Sequence, residues 1–315
     1  MKKQLLSAFI IVLMHLTAFG QYATLKNADS AFETFNYSSA IQYYQQAYES
    51  RPTARAMKGL AESYYHMRNF KEAEHWYRQL ANLDNPSTEN ILKYGHTLRN
   101  NAKFREAKAQ YQRVGERPDR KISLDELDLL YKSCDSALVW MENPEIAHEI
   151  QNLQSLNTQY SEFGAITHDG LLIFSSDRKV AQSGSEETYG WTGNAYLSLY
   201  QSANGAASRS PMTWFNHQHH VGPISKSSAK NEVYFSVTRE LTRGEKRKSP
   251  KMATVNVEIF SNALSAADWG VNPQPFKYNN ITQWSVGDPF ISLTGDTLYF
   301  VSDMPGGFGG TDIYY

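Results

Sequence analysis

Apolar residues recur every three or four positions between residues 22 and 141, the spacing of helices that bury one face. Beyond Glu142-Asn143-Pro144 the period falls to two, and Ser, Thr, Gly and Asn become frequent. That change predicts helices followed by short strands and tight turns, with Pro144 ending the helical part because it has no N–H to extend it. A third pattern opens the chain: Lys2 and Lys3, an apolar run from Leu5 to Phe19, then Gly20 and Gln21. A basic start, a short apolar stretch and small residues at Ala18 and Gly20 predict a secretory signal peptide cleaved before Gln21. The run contains His15 and is shorter than the roughly 20 apolar residues of a spanning helix, so no transmembrane segment is expected in the mature chain. The expected domains are a signal peptide at 1–20, a helical domain at 21–141, a linker at 142–148 and a β-rich domain at 149–315.

The helical part repeats. Tyr37-Ser-Ser-Ala40-Ile-Gln-Tyr-Tyr44 aligns with Phe70-Lys-Glu-Ala73-Glu-His-Trp-Tyr77 and with Phe104-Arg-Glu-Ala107-Lys-Ala-Gln-Tyr111. The alanines lie 33 and 34 residues apart, as do the trailing tyrosines. At this spacing a small residue lets a neighbouring helix approach closely while the rings fill the space beside it. Partner helices are expected at Gly59–Tyr64 and Tyr94–Leu98, with Pro52, Pro86 and Pro118 as punctuation. The period and the aromatic-Ala-aromatic signature resemble tetratricopeptide repeats, three in series. The first unit departs from the pattern, with Ala28 at the small position and Ala31 in place of the usual Tyr. One more helix, residues 123 to 141, is expected to cap the stack. Ser123 and Glu126 form a capping box, and Leu127, Leu130, Cys134, Ala137, Leu138 and Met141 trace one apolar stripe. Cys134 lies on that stripe and reads as core packing.

The resemblance implies an all-α solenoid with a free concave face. Its groove-facing positions would be Arg55, Lys58, Glu62, Tyr65 and His66, followed by Glu89, Leu92, His96 and Arg99 of the next repeat. The charges are mixed, and Glu62 breaks the Lys-plus-Asn arrangement that grips a peptide carboxylate in some family members. This row reads either as a groove for an extended peptide or partner helix, or as an ordinary solvated face.

The β-rich part repeats differently. Segments beginning at Gly164, Gly222 and Gly287 each give a short strand, a turn built on Asp, Asn or Gly, and a β-rich strand containing Phe174, Phe235 or Phe300. Further strands are expected at Ala195–Tyr200, Thr213–Phe215 and Ala253–Phe260. The run Ser302-Asp303-Met-Pro-Gly-Gly-Phe308-Gly-Gly-Thr-Asp312-Ile-Tyr314 closely resembles the WD40-like PD40 repeat of β-propellers, which implies an all-β propeller. Its glycines would let strands bend and reach the next blade. Three units are fewer than the roughly four to eight blades of a closed propeller, so the propeller is expected to be incomplete and the chain truncated.

Composition narrows the function. With 31 Lys+Arg against 32 Asp+Glu, the chain lacks the cationic surplus of a nucleic-acid binder. A single Cys excludes a disulfide framework and a Cys-cluster zinc site. No Gly-x-Ser-x-Gly elbow, His-Glu-x-x-His pair or EF-hand loop is present, so no enzyme and no cofactor are expected. His217 and His219 would share one strand face, either as a metal pair or as part of a polar rim. Arg239–Lys251 is locally basic and reads as a solvated hairpin loop, with a weak anionic contact as the alternative. The 20 tyrosines divide between helix wedges (Tyr44, Tyr64, Tyr77, Tyr94, Tyr111) and strands (Tyr234, Tyr299, Tyr314).

Signal peptide, tetratricopeptide repeats and PD40 propeller together resemble the N-terminal part of the Bacteroidetes OmpA-family envelope proteins, one branch of which tethers the type IX secretion system to the cell wall. The resemblance implies a periplasmic, outer-membrane-associated scaffold whose partners are envelope proteins. It would reach peptidoglycan only through a C-terminal OmpA-like domain absent from this chain. The competing expectations are an accessory region of an exported hydrolase whose catalytic domain is missing, or a carbohydrate-binding propeller.

Overall fold

The structure is a computed structural model describing residues 21–143, 149–179, 188–203, 206–209, 219–248, 255–263 and 273–315. The predicted signal peptide lies outside the described residues. The protein is mixed α and β, with helices followed by antiparallel sheets. It divides into two units: Met1–Glu149 with Gly190–Gly193, and Ile150–Tyr189 with Asn194–Tyr315.

The helical unit contains α1 (21–33), α2 (Tyr37–Ser50), α3 (Ala54–His66), α4 (Phe70–Ala81), α5 (Thr88–Asn100), α6 (Phe104–Gly115) and α7 (Leu124–Glu142). From α2 onward each helix packs on its neighbours in sequence. The seam is the one that the sequence pattern predicts: Ala40, Ala73 and Ala107 are fully buried, and Tyr44, Tyr77 and Tyr111 lie beside them in one core. Despite Ala31, the leading helix of the first pair forms, with Leu25 and Ala28 in that core. The turns between paired helices repeat as well. Phe35, Arg68 and Ala102 hold left-handed backbone angles (φ 61°, 59° and 58°) at spacings of 33 and 34 residues. Asn36 and Asn69 then cap α2 and α4 by accepting from Ser39 N and Glu72 N, whereas Lys103 gives α6 no side-chain cap. Ser123 and Glu126 form the expected capping box on α7, and Cys134 is buried. Met141, expected on the buried stripe, is instead exposed. The 19-residue α7 outruns the 12-residue α6 it packs on, so its last turns have no helix to cover them.

The second unit holds three antiparallel sheets, each ordered as it runs in the chain. The first comprises β1 (Glu162–His168), β2 (Leu171–Ser176), β3 (Ser198–Ala203) and β4 (Ala206–Arg209). The second comprises β5 (Val221–Ser227), β6 (Glu232–Val237), β7 (Glu258–Ala263) and β8 (Gln274–Pro275). The third comprises β9 (Val286–Ile291), β10 (Leu298–Ser302) and β11 (Asp312–Tyr314). Strand β5 packs across β1, β2 and β3, and β9 packs across β5, β6 and β7, so successive sheets stack face to face. Each first strand has a register irregularity in its pairing beside a left-handed residue: Gly164, Gly222 and Asp288. Phe174, Phe235 and Phe300 are buried at matching places on β2, β6 and β10. Among the described residues the sheets form no closed barrel or ring.

One expectation changes here and another gains detail. The Gly-rich run after Ser302 joins β10 to β11 within one sheet rather than leading to another, and Asp312 Oδ2 organises it by accepting from Phe308 N (2.9 Å) and Gly309 N (3.2 Å). The basic stretch lies in the connection of the antiparallel β6–β7 hairpin, as expected, and its described part carries a short helix, α8 (Arg243–Lys248). Arg239 there is held by Glu245 (2.8 Å) and the buried Glu258 (2.7 Å). The expected strand at 213–215 lies outside the described residues.

Candidate protein-binding groove

Helices α3 and α5 present two parallel rows, because residues three, seven and ten apart fall on one helical face. Arg55, Lys58, Glu62 and Tyr65 form the row on α3, and Glu89, Leu92, His96 and Arg99 form the row on α5. The structure brings the rows together: Lys58 Nζ lies 3.1 Å from Glu89 and 3.6 Å from Glu62, and Lys93 Nζ sits 5.1 Å over the Tyr65 ring. Burial disfavours the Lys58 ammonium, but its bond to Glu89 and the charges of Glu62 and Glu89 outweigh that and raise its pKa.

Each remaining position has a distinct environment. Arg55 is exposed and pairs with Asp29 of α1. Tyr65 is half-buried, edge-on to Phe70 and Tyr77. His66 stacks on Tyr37, with ring centroids 4.8 Å apart, and its carbonyl accepts Trp191 Nε1 at 3.1 Å. Burial, then the charges of Arg99 and Lys93, bring the His96 imidazole down to about 4, so it is neutral at pH 7; its Nδ1 lies 3.0 Å from Tyr111 Oη. Leu92 and Glu89 line a cleft of about 400 Å³ with Thr88, Val114, Lys121 and Ile122.

Sequence reasoning placed the wedge tyrosines beneath these rows but missed what their hydroxyls bond to. Tyr44 Oη donates to Asp29 Oδ1 at 2.7 Å, but the Tyr77 hydroxyl is buried with no hydrogen-bond partner. Alignment of the repeats would have placed Asp29, Glu62 and His96 at one position, though not which hydroxyls they satisfy. The two phenols should therefore respond oppositely to deletion. Tyr44→Phe is expected to lower unfolding free energy by about 0.5–1.5 kcal/mol, as a lost hydrogen bond does. Tyr77→Phe removes an unsatisfied polar atom and should leave stability unchanged or raise it. Urea unfolding of both variants checks this; an equal loss would contradict the assigned bonding.

The histidine-rich segment yields no centre. His217 lies outside the described residues, and among those described no three metal-ligating groups gather. His220 Nδ1 accepts from Leu197 N at 3.1 Å, and burial takes its pKa down to about 4. Among the described residues no helix is long and apolar enough to cross a membrane. No protein-family model matches this chain, and no curated protein matches it.

Proposed function

We propose that this protein is a non-enzymatic interaction scaffold of the cell envelope, its helical unit a tetratricopeptide-repeat solenoid and its β-rich unit part of a WD40-like propeller. One observation carries the reading: two adjacent rows of mixed charge and aromatic surface on the leading helices of pairs that repeat in sequence, core and turn geometry. Such a face matches an extended segment of another protein better than a small molecule, because it is long, shallow and lined by different chemistries. The stacking of each sheet on the one before it, with the same irregularity in each first strand, supports the propeller assignment. The apolar run at 5–19 supports export, and the partners would be outer-membrane or type IX secretion components.

The test is capture of envelope proteins on the tagged chain in its own cells, beside a Lys58→Glu, Arg99→Glu variant. Recovery of the specific partners is expected to fall roughly tenfold, the scale of disrupted charge complementarity, with helical circular dichroism unchanged. Equal recovery overturns the groove, and a cytosolic location overturns the envelope assignment.

A further inference from the structure

The three helical pairs repeat one hydroxyl against one position, and the middle copy is incomplete. Tyr44, Tyr77 and Tyr111 are equivalent along the repeat, and so are Asp29, Glu62 and His96 on the leading helices. In the first pair Asp29 accepts Tyr44 Oη through one oxygen and the Arg55 guanidinium through the other. In the third, Tyr111 Oη and His96 Nδ1 share a hydrogen bond. In the second, Tyr77 is fully buried and its hydroxyl unpartnered, while Glu62 is turned toward Lys58. The position that supplies Arg55 to the first pair supplies Glu89, an anion, to the second. Two carboxylates and one ammonium therefore meet where the first step has a phenol, a carboxylate and a guanidinium.

The mismatch defines a ligand. Burial first, then the neighbouring charges of Glu62, Tyr65 and Glu89, hold Tyr77 in its neutral form, so it needs an acceptor and not a counter-ion. Glu62 is half-buried and contacts Lys58 through Oε1; to be that acceptor it must turn an oxygen toward Tyr77, as Asp29 divides its two oxygens between Tyr44 and Arg55. A second cation between Glu62 and Glu89 favours that turn by balancing both carboxylates. A guanidinium suits the place better than an ammonium, because its planar fork can bond two carboxylates at once.

We propose that the middle of this groove binds an arginine side chain of a partner protein, set between Glu62 and Glu89, with Glu62 then accepting the Tyr77 hydroxyl as Asp29 accepts that of Tyr44. This rests on the groove reading above and adds the chemistry of its occupant.

Fluorescence anisotropy of the full chain with a labelled, capped peptide Ala-Arg-Ala-Ala-Arg-Ala, against the same peptide with citrulline for arginine, tests it. Citrulline keeps the shape and removes the charge. The arginine peptide is expected to bind roughly tenfold tighter in physiological salt, the order that charge-assisted hydrogen bonds supply. Glu89→Arg writes the first step's cation into the second and should abolish that preference without lowering the melting temperature. Glu89→Gln, at an exposed position, should reduce it several-fold and serves if the arginine variant misfolds. Equal binding of the two peptides, or a preference unchanged in Glu89→Gln, overturns the proposal. If the Lys58→Glu, Arg99→Glu variant loses its partners while no arginine preference exists, the occupant is wrong and the groove stands. An arginine preference with undiminished partner capture supports the arginine site and overturns the groove's assigned role.

Discussion

Gly222→Ala should destabilise the β-rich unit by about 3–5 kcal/mol, whereas Gly306→Ala should cost only about 1–2 kcal/mol, although both glycines hold nearly the same backbone angle. Gly222 has φ +114° and Gly306 has φ +110°, so an alanine at either carries similar strain. The difference is what the new methyl would meet. At Gly306 no atom lies within 4 Å. At Gly222 the methyl would stand 3.0 Å from Ser175 Cβ and 3.5 Å from Leu199 Cδ2, and closer still to Ser175 Oγ. Ser175 is fully buried on β2, so it has little room to yield. Gly222 is the second residue of β5, which packs across the first sheet, so the clash acts on the stacking of one sheet over another. Denaturant unfolding monitored at the β-sheet signal measures both variants. Equal losses would mean that backbone angle alone fixes glycine here and that close stacking does not.

That contrast bears on what was legible beforehand. The helical pairs could be read because their signal is chemical and local: alanine admits a close neighbour, and aromatic rings beside it exclude water. The three first strands could be placed for a similar reason, since Asp169-Gly170, Asn231 and Gly295-Asp296 announce their turns by composition. The left-handed turns at Phe35, Arg68 and Ala102 could not be read, because none of the three is glycine; each is closed by the next residue's N–H donating back to a carbonyl of the preceding helix, Ala31, Tyr64 or Leu98. The groove was legible as a set of positions but not as a set of bonds. Helical spacing places Lys58 and Glu62 on one face. It cannot say that Lys58 reaches across to Glu89, or that Tyr77 is left without the partner that Tyr44 finds. In the sequence Arg239 is one charge of a locally basic stretch, and only the fold brings the buried Glu258 beside it.

Lys103→Met should cost the helical unit about 2–3 kcal/mol at pH 7, more than Glu74→Met, and its penalty should shrink on acidification. Glu74 on α4 has a side chain only 4% exposed, and its oxygens accept Lys103 Nζ at 2.7 and 2.9 Å, Asn101 Nδ2 at 2.8 Å and the Arg78 guanidinium. Its cations are wet: the Lys103 and Arg78 side chains are 44% and 53% exposed. Removing the carboxylate therefore returns two ions to water at small cost, while removing Lys103 leaves a buried anion undercompensated. Lys103 also occupies the N-cap place of α6, where Asn36 and Asn69 serve the other pairs. Lys103→Asn should recover a cap of about 1 kcal/mol and still lose, because the ion pair is the larger effect. The pH dependence fixes the cause. Burial raises the Glu74 pKa, but the bonds from Lys103, Asn101 and Arg78 outweigh it and hold the group below its ordinary 4.5. Its stabilisation is thus full above that value and is lost as pH falls through the lower folded one. In Lys103→Met burial is opposed less, the pKa rises, and protonation relieves the stranded charge. Urea unfolding at pH 7 and pH 4 should show the gap between variant and parent narrowing. A gap independent of pH would assign the loss to the aliphatic stem of Lys103 packing on its neighbours, and not to its charge.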